Sequence, residues 1–561
     1  TSMKNYPLNQ TQAIGDLKEL TDRSASLYAH KNAFYKMTGR SCYVAVTYGE
    51  FGEELAAMAN SLLNFGWNGQ RIALLGENSY EWILSYFAIV NSNATVVPLD
   101  KELPKEELAE QMRRAKVTAI IYSATYEEEA AFAATALGIE NTVSWGQVQA
   151  GAKLSLDSLL QRGRELLAAG QDRYSSIEID RERACSILFT SGTTGLSKGV
   201  MLCHRNLAAN TVSACELVLF TPDDTLLSIL PIQHAYEDMC GIFGPIYYGS
   251  AIAFCSGVKQ LAACLQLFKP TVMVLVPLYI ETFHKRIWEA AEKQGKGGKL
   301  RFAIGLCNLL GKIGIDLRDK VLGEVRGFFG GRLRIVICGG AYLNPKYVKA
   351  FRGLGVKILQ GYGITECSPI ISANRNESYK DASVGWLAPG CEVRFDADGQ
   401  ILVRGDNVML GYLDDEEGTA QAFDGDWFMT GDLGYQDEDG FLYVTGRCKN
   451  LIVLKNGKNI MPDEIEQRLT ESPLIAEALV MEAPGDDNGS ESLMALIYPD
   501  PDKVDGMDEQ SLYNAVEQEV DKINQTLVYY KKVHQFQLRH QPFPKTTTRK
   551  IKRYQVKIGE E

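Results

Sequence analysis

Ile187-Leu-Phe-Thr-Ser-Gly-Thr-Thr-Gly-Leu-Ser-Lys-Gly-Val-Met201 decides how this chain is read. Cys185 to Phe189 is a short apolar run with strand character. Thr190 to Gly199 is almost entirely Ser, Thr and Gly around a single Lys, and Val200 to Leu202 is apolar again. A loop this rich in Gly and hydroxyls, held between two strands, can turn several backbone N–H groups toward one anion, and Lys198 adds a full positive charge. That is the chemistry of a polyphosphate cradle.

Spacing separates this loop from other motifs. A Walker A loop places four residues between its first Gly and a Gly-Lys pair; only Leu196 and Ser197 separate Gly195 from Lys198. Gly195-Leu-Ser197-Lys-Gly199 matches the G-x-S-x-G nucleophile elbow, but that elbow runs from strand through Ser directly into helix. Here a polar loop precedes Ser197 and a strand-like run follows it. A plain flexible turn is the remaining alternative, since Gly and Ser favour turns.

At 561 residues the chain is long enough for three or four units, and 45% hydrophobic residues support large cores. A net charge of -12 argues against a nucleic-acid partner, whose footprint is a basic excess. Twelve Cys include no C-x-x-C and six His no H-E-x-x-H, which argues against zinc and disulfide frameworks and fits a cytoplasmic location. Met3 to Asp16 is polar, unlike a signal peptide. Met239 to Val258 is twenty residues without a charge, nominally enough to span a bilayer, but its Gly, Pro and Ser break it into a short helix, a turn and a strand over Ser250–Phe254. The reading is a core segment, with peripheral contact at the inner membrane surface left open.

The first 180 residues alternate strand and helix signals: strand Arg71–Gly76, a helix over Tyr80–Val90 capped by Ser79, strand Ala94–Leu99, a helix over Glu106–Ala115 behind Pro104, strand Val117–Tyr122. Such alternation implies parallel βαβ units. After the Gly-rich loop it resumes with helix His204–Leu217, strand Leu226–Ile229, helix Leu261–Phe268 and strand Val272–Val276. Lys285 to Phe329 is a long helical interruption. Leu333–Cys338 then leads into Gly339-Gly-Ala341, and Lys357–Gln360 into Gly361-Tyr-Gly-Ile-Thr-Glu366; both loops start where a doubly wound sheet binds ligands. From Ser383 to Val444 short strands alternate with Asp-Gly turns, and from Leu451 a compact α/β unit begins.

Taken together, these stretches resemble the adenylate-forming (AMP-binding) superfamily, and within it the long-chain fatty acid–CoA ligases. The resemblance runs from about Thr47 to Arg553, with the motifs in the family's order. It implies an α/β fold: a large N-terminal domain of doubly wound mixed and parallel sheets with a small β subdomain, and a smaller mobile α+β C-terminal domain. The expected boundaries are 1–447 (lobes of about 1–182 and 183–382, β subdomain about 383–447) and 448–561.

By the same resemblance, Thr190, Ser191, Gly192, Thr193, Thr194 and Lys198 cradle the β- and γ-phosphates of ATP. Gly339, Gly340 and Ala341 flank adenine, where small residues let a flat ring approach; Gly361, Tyr362 and Gly363 line its other face. Thr365 offers a hydroxyl to the α-phosphate, and Glu366 a hard oxygen ligand to Mg2+. Asp432 holds the ribose and Arg447 reaches the ribose or α-phosphate, although an Asp after a Gly is also an ordinary turn residue. Lys449 falls on the hinge, or on a basic linker. Pro544-Lys-Thr-Thr-Thr-Arg-Lys-Ile-Lys-Arg553 resembles the catalytic-lysine motif with Lys550 on the lysine; Arg549 stands where the family has Gly, which leaves Lys545 and Lys552 as alternatives. Lys550, Thr365 and Glu366 form the expected catalytic set. His234, in Leu230-Pro-Ile-Gln-His-Ala-Tyr-Glu237, resembles a substrate-side residue of the long-chain enzymes, and the 285–329 interruption resembles their insertion; a helix cap and a generic helical hairpin are the alternatives.

The implied reaction takes a carboxylic acid, of medium to long chain, and MgATP to acyl-AMP and pyrophosphate, then transfers the acyl group to coenzyme A. Loading of a separate acyl carrier protein, or a binding protein without catalysis, are the rivals.

Overall fold

Local signals place the helices. Thr47 and Glu50 close a reciprocal capping box, Thr47 N–H donating to the Glu50 carboxylate at 2.8 Å and Glu50 N–H to Thr47 Oγ1 at 3.2 Å, and the helix Tyr48–Asn64 starts there. Ser79 accepts from Trp82 N–H and starts Tyr80–Val90. Helices His204–Leu217, Leu261–Phe268 and Pro462–Leu469 likewise follow their apolar spacing. The computed structural model describes residues 6–39, 42–146, 153–190, 197–255, 257–311, 313–453, 459–483, 492–546 and 550–559.

The chain divides into two compact units, residues 1–393, 403–428 and 438–442, and residues 394–402, 429–437 and 443–561. The first holds two large sheets. In one, the strands run in the order Gly411–Tyr412, Lys198–Cys203, Ala184–Thr190, Thr95–Pro98, Arg71–Leu75, Ala119–Ser123, Asn141–Trp145, Leu154–Ser155. In the other the order is Trp386–Leu387, Ile370–Ala373, Lys357–Gly363, Ile335–Cys338, Val272–Leu275, Thr225–Ser228, Ala251–Phe254, Asn32–Met37, Tyr43–Thr47. The central pairings of both are parallel, as strand–helix alternation requires.

The sheets exchange strands across the chain midpoint. The early hairpin Asn32–Met37/Tyr43–Thr47 joins the later sheet by pairing in parallel with Ala251–Phe254, and the hairpin 184–203 joins the earlier one. A five-stranded sheet built from Cys391–Phe395, Gln400–Gly405, Phe423–Asp424, Trp427–Gln436 and Leu442–Arg447 has strands that continue from one unit into the other. The second unit also holds a three-stranded sheet, Ile475–Glu482, Leu493–Pro499 and Val533–Leu538, covered by Pro462–Leu469 and Glu509–Asn524 around its own apolar core.

The uncharged stretch 239–258 folds as a π-helix Asp238–Phe243, a short helix Gly244–Tyr248 and the strand Ala251–Phe254, and residues 239–255 are buried or half-buried. Residues 239–255 are therefore core. Among the described residues no helix is long and apolar enough to cross one.

Gly163 sets the spacing of the helices Tyr48–Asn64 and Leu156–Ala168. A Cβ there would lie 1.7 Å from the Ala57 carbonyl oxygen, so the backbones touch where only Gly fits. Gly163→Ala is expected to destabilise the first unit by about 1–3 kcal/mol, the scale of core overpacking. A thermal unfolding midpoint equal to that of the unsubstituted chain would contradict this.

Candidate functional site

The Gly-rich stretch joins two antiparallel strands. Thr190 ends one strand and Lys198 begins the next, paired with each other, and Thr190 Oγ1 lies 3.4 Å from the Lys198 carbonyl. Ser191, Gly192, Thr193 and Thr194 lie outside the described residues. Arg114 bridges the two strands: its Nη1 donates to the Ser197 carbonyl at 2.7 Å and its guanidinium sits 5.3 Å from the Phe189 ring.

Lys198 and Glu366 meet at a residue the sequence did not single out. The Lys198 ammonium lies 4.4 Å from the centroid of the Tyr412 ring, and Tyr412 Oη donates to Glu366 Oε1 at 2.9 Å. Desolvation, then the Glu366 charge, pushes the Tyr412 phenol well up, so it stays a donor at any physiological pH. Asp415 lies 3.7 Å from Lys198, with both side chains partly exposed. Residues 409–413 hold these groups in place. Met409 N–H donates to the Glu366 carbonyl at 2.8 Å, Leu413 N–H to the Gly199 carbonyl at 2.7 Å, and Gly411–Tyr412 pairs with Val200 and Met201 as an edge strand.

The two other loops adjoin this cluster. Ile335–Cys338 and Lys357–Gly363 are parallel neighbours, so Gly339 and Gly361 leave the same end of the sheet; a Cβ on Gly339 would lie 3.3 Å from the Gly361 carbonyl and 3.3 Å from the Tyr236 ring. Gly340 has φ +83°, and Gly340 and Ala341 are exposed. One expectation is corrected here. Gly361, Tyr362 and Gly363 are not a loop but the end of the strand, paired antiparallel with Ile370–Ala373, and a Cβ on Gly363 would lie 2.1 Å from the Pro369 carbonyl. Thr365–Cys367 is a single 3-10 turn that carries Thr365 and Glu366, both half-buried.

His234 is half-buried and precedes the short helix Ala235–Glu237. Two residues on, Tyr236 Oη shares its single proton between the carbonyls of Leu275 (3.1 Å) and Ile337 (3.2 Å), which fixes the segment beside Gly339. Glu237 turns inward: buried, it accepts from Ser228 Oγ at 2.6 Å, and desolvation pushes it up to about 8 against the pull of that bond. It is a neutral acid in the core rather than a charged surface group.

The second unit holds its own cluster. Asp432 is buried within the strand Trp427–Gln436, so it is not a turn residue, and Arg447 Nε lies 3.3 Å from its Oδ1. Residues 544–546 lie against residues 550–552: Thr546 N–H donates to the Lys550 carbonyl at 2.8 Å, and Lys550 N–H to Thr546 Oγ1 at 3.1 Å. This sets Lys550 among the charges of Arg447 and Asp432. Its ammonium is lowered to about 8, by desolvation first and the like charge of Arg447 second, while Asp432 pulls the other way. The residue keeps an exposed surface. Lys545, the alternative, is bound to the Glu477 carboxylate. Arg549 lies outside the described residues. Lys449 occupies a 3-10 turn, Cys448–Asn450, directly after the strand that carries Arg447.

The chain as a whole is matched by known proteins. A family model described as AMP-binding enzyme matches residues 21–413, and one described as AMP-binding enzyme C-terminal domain matches 449–557. The chain belongs to the AMP-binding enzyme family. Among the relatives of this AMP-binding enzyme is the long-chain-fatty-acid–CoA ligase FadD15 of Mycobacterium bovis, 31% identical over 82% of this chain and 78% of that protein. The anthranilate CoA ligase AuaEII, solved with anthranoyl-AMP, shares the fold at 22% identity, TM-score 0.75, over 98% of this chain and 97% of that one. The A-PCP didomain of a carboxylic acid reductase from Segniliparus rugosus does so at 20% identity, TM-score 0.76, over 97% and 80%.

Proposed function

We infer that this AMP-binding enzyme activates a medium- to long-chain fatty acid with ATP and transfers the acyl group to coenzyme A. In the first step a carboxylate oxygen attacks the α-phosphorus, the bond to the β-phosphate breaks, and pyrophosphate leaves. In the second the sulfur of coenzyme A, its proton lost, attacks the acyl carbonyl and AMP leaves. Both steps bring negative groups together, so catalysis is chiefly positioning and charge stabilisation.

The first unit supplies Lys198, Thr190 and the Gly-rich turn for the β- and γ-phosphates, the Gly339–Ala341 and Gly361–Gly363 backbone for a flat base, and Thr365 for the α-phosphate. Glu366 is half-buried and accepts from Tyr412 Oη at 2.9 Å. Mg2+ would be held by Glu366 with phosphate oxygens and would offset their charge. The second unit supplies Asp432 and Arg447 for the ribose and Lys550 for the reacting carboxylate and α-phosphate. His234 takes the acid side, and Lys449 is the hinge between the half-reactions.

The observation that carries this reading is the contact of Lys198 and Glu366 through one tyrosine, a phosphate cation beside a metal carboxylate. Coenzyme A is preferred over a carrier protein on the likeness to FadD15, a CoA ligase along most of its length. Side-by-side assays with coenzyme A and a phosphopantetheinylated carrier protein test it: thioester on coenzyme A is expected, and thioester on the carrier alone would overturn it.

Tyr412→Phe keeps the ring under Lys198 and removes one hydrogen bond to Glu366. It is expected to lower kcat/KM for ATP about five-fold, equivalent to ~1 kcal/mol. Unchanged kcat/KM would deny Tyr412 an orienting role.

A further inference from the structure

The helix Gly297–Gly311 breaks the usual rule for a surface helix. Its inner side, Leu300 and Cys307, is buried in the core of the first unit, and Ile304 packs on Gly353. Its outer side should be polar. Instead Phe302, Leu306 and Leu309, spaced to share that face, are 74%, 37% and 62% exposed, and Ile313 beyond the helix is 70% exposed. From Leu300 to Leu310 only Arg301 and Asn308 are polar.

Charge points to what covers this face. Residues 285–329 contain ten Lys or Arg against five Asp or Glu, a local +5 in a chain of net -12. Lys299 and Arg301 in the first turns of the helix, and Lys293 and Lys296 just before it, stand exposed. Lys296 pairs with Glu324 and Arg301 with Glu292, but these are exposed pairs of the kind that hold their partners weakly. At fifteen residues the helix is too short to cross a bilayer. An exposed apolar stripe rimmed by Lys and Arg is the form of a helix that lies in the headgroup plane of an anionic membrane. A second copy of the chain would instead set one basic segment against another.

We propose that the outward face of Gly297–Gly311 docks this enzyme on an anionic lipid surface. The inference goes beyond the reaction assigned above and does not depend on which acid is activated. Docking would set the enzyme on the phase in which long-chain acids dissolve.

Sedimentation of the full chain with lipid vesicles tests it. The unsubstituted protein is expected to pellet with phosphatidylcholine vesicles containing about one third phosphatidylglycerol, and far less with phosphatidylcholine alone. The triple variant F302S/L306S/L309S is expected to bind the mixed vesicles at least about ten-fold more weakly. These side chains already face water, so its pyrophosphate exchange with water-soluble octanoate should match that of the unsubstituted chain. K293E/K299E provides a second test that leaves the apolar face intact: it should weaken binding to the mixed vesicles only. Recovery of the unsubstituted protein in the supernatant with both vesicle types, or equal binding of the triple variant, would overturn the proposal. So would light scattering that shows a dimer which the triple variant converts to monomer, because a second copy would then be the occupant.

Discussion

Lys550→Ala is expected to slow acid-dependent ATP–pyrophosphate exchange by about 10²–10³-fold, the scale on which one preorganised charge stabiliser acts. The ammonium is the cation placed beside Arg447 and Asp432, and adenylation joins two anions. Its pKa of about 8 gives the variant a signature that a structural role would not. Below that value the group is charged; as pH rises through it the charge is lost, so exchange should fall along an alkaline limb near 8. Lys550→Arg keeps the cation at any pH and should move that limb upward whatever its residual rate. An alkaline limb left in place by Lys550→Arg would assign the titration to another group. Lys545→Ala, which removes only the partner of Glu477, should leave exchange within a few-fold of normal.

The second large effect is expected at Glu366. Glu366→Gln keeps the shape and an oxygen that can accept from Tyr412, and removes the negative charge. Exchange should fall by about 10²-fold, with half-maximal Mg2+ moved to higher concentration, because a hard cation held by few protein ligands depends on each of them. A reduced rate with an unmoved Mg2+ titration would make Glu366 a structural residue of its turn instead of a ligand.

Much of this was legible because its signals are local. Ser79 before Tyr80–Val90 and the Thr47–Glu50 box are caps that act within one turn. The two apolar runs that flank the Gly-rich stretch were legible as strands, and they pair as Ala184–Thr190 and Lys198–Cys203. What escaped depends on partners far along the chain. Tyr412 reaches Glu366 only because Gly411–Tyr412 pairs with Val200 and Met201, residues more than two hundred positions earlier, and nothing around Tyr412 announces that. Gly361–Gly363 reads as a loop from its glycines, yet the returning strand Ile370–Ala373 draws it into the sheet. Strand alternation predicted parallel units but not that Asn32–Met37 would cross to Ala251–Phe254, since edge pairings are chosen by tertiary contact. Motif spacing prefers Lys550 over Lys545 and Lys552; Lys545 is bound to the Glu477 carboxylate.

Acid-dependent ATP–pyrophosphate exchange, run over straight-chain acids from acetate to palmitate with aryl acids beside them, tests the assigned chemistry most directly. Exchange should be absent without acid and strongest with medium- to long-chain fatty acids. No exchange with any acid, from protein that still binds ATP, would mean that these residues hold a nucleotide without using it.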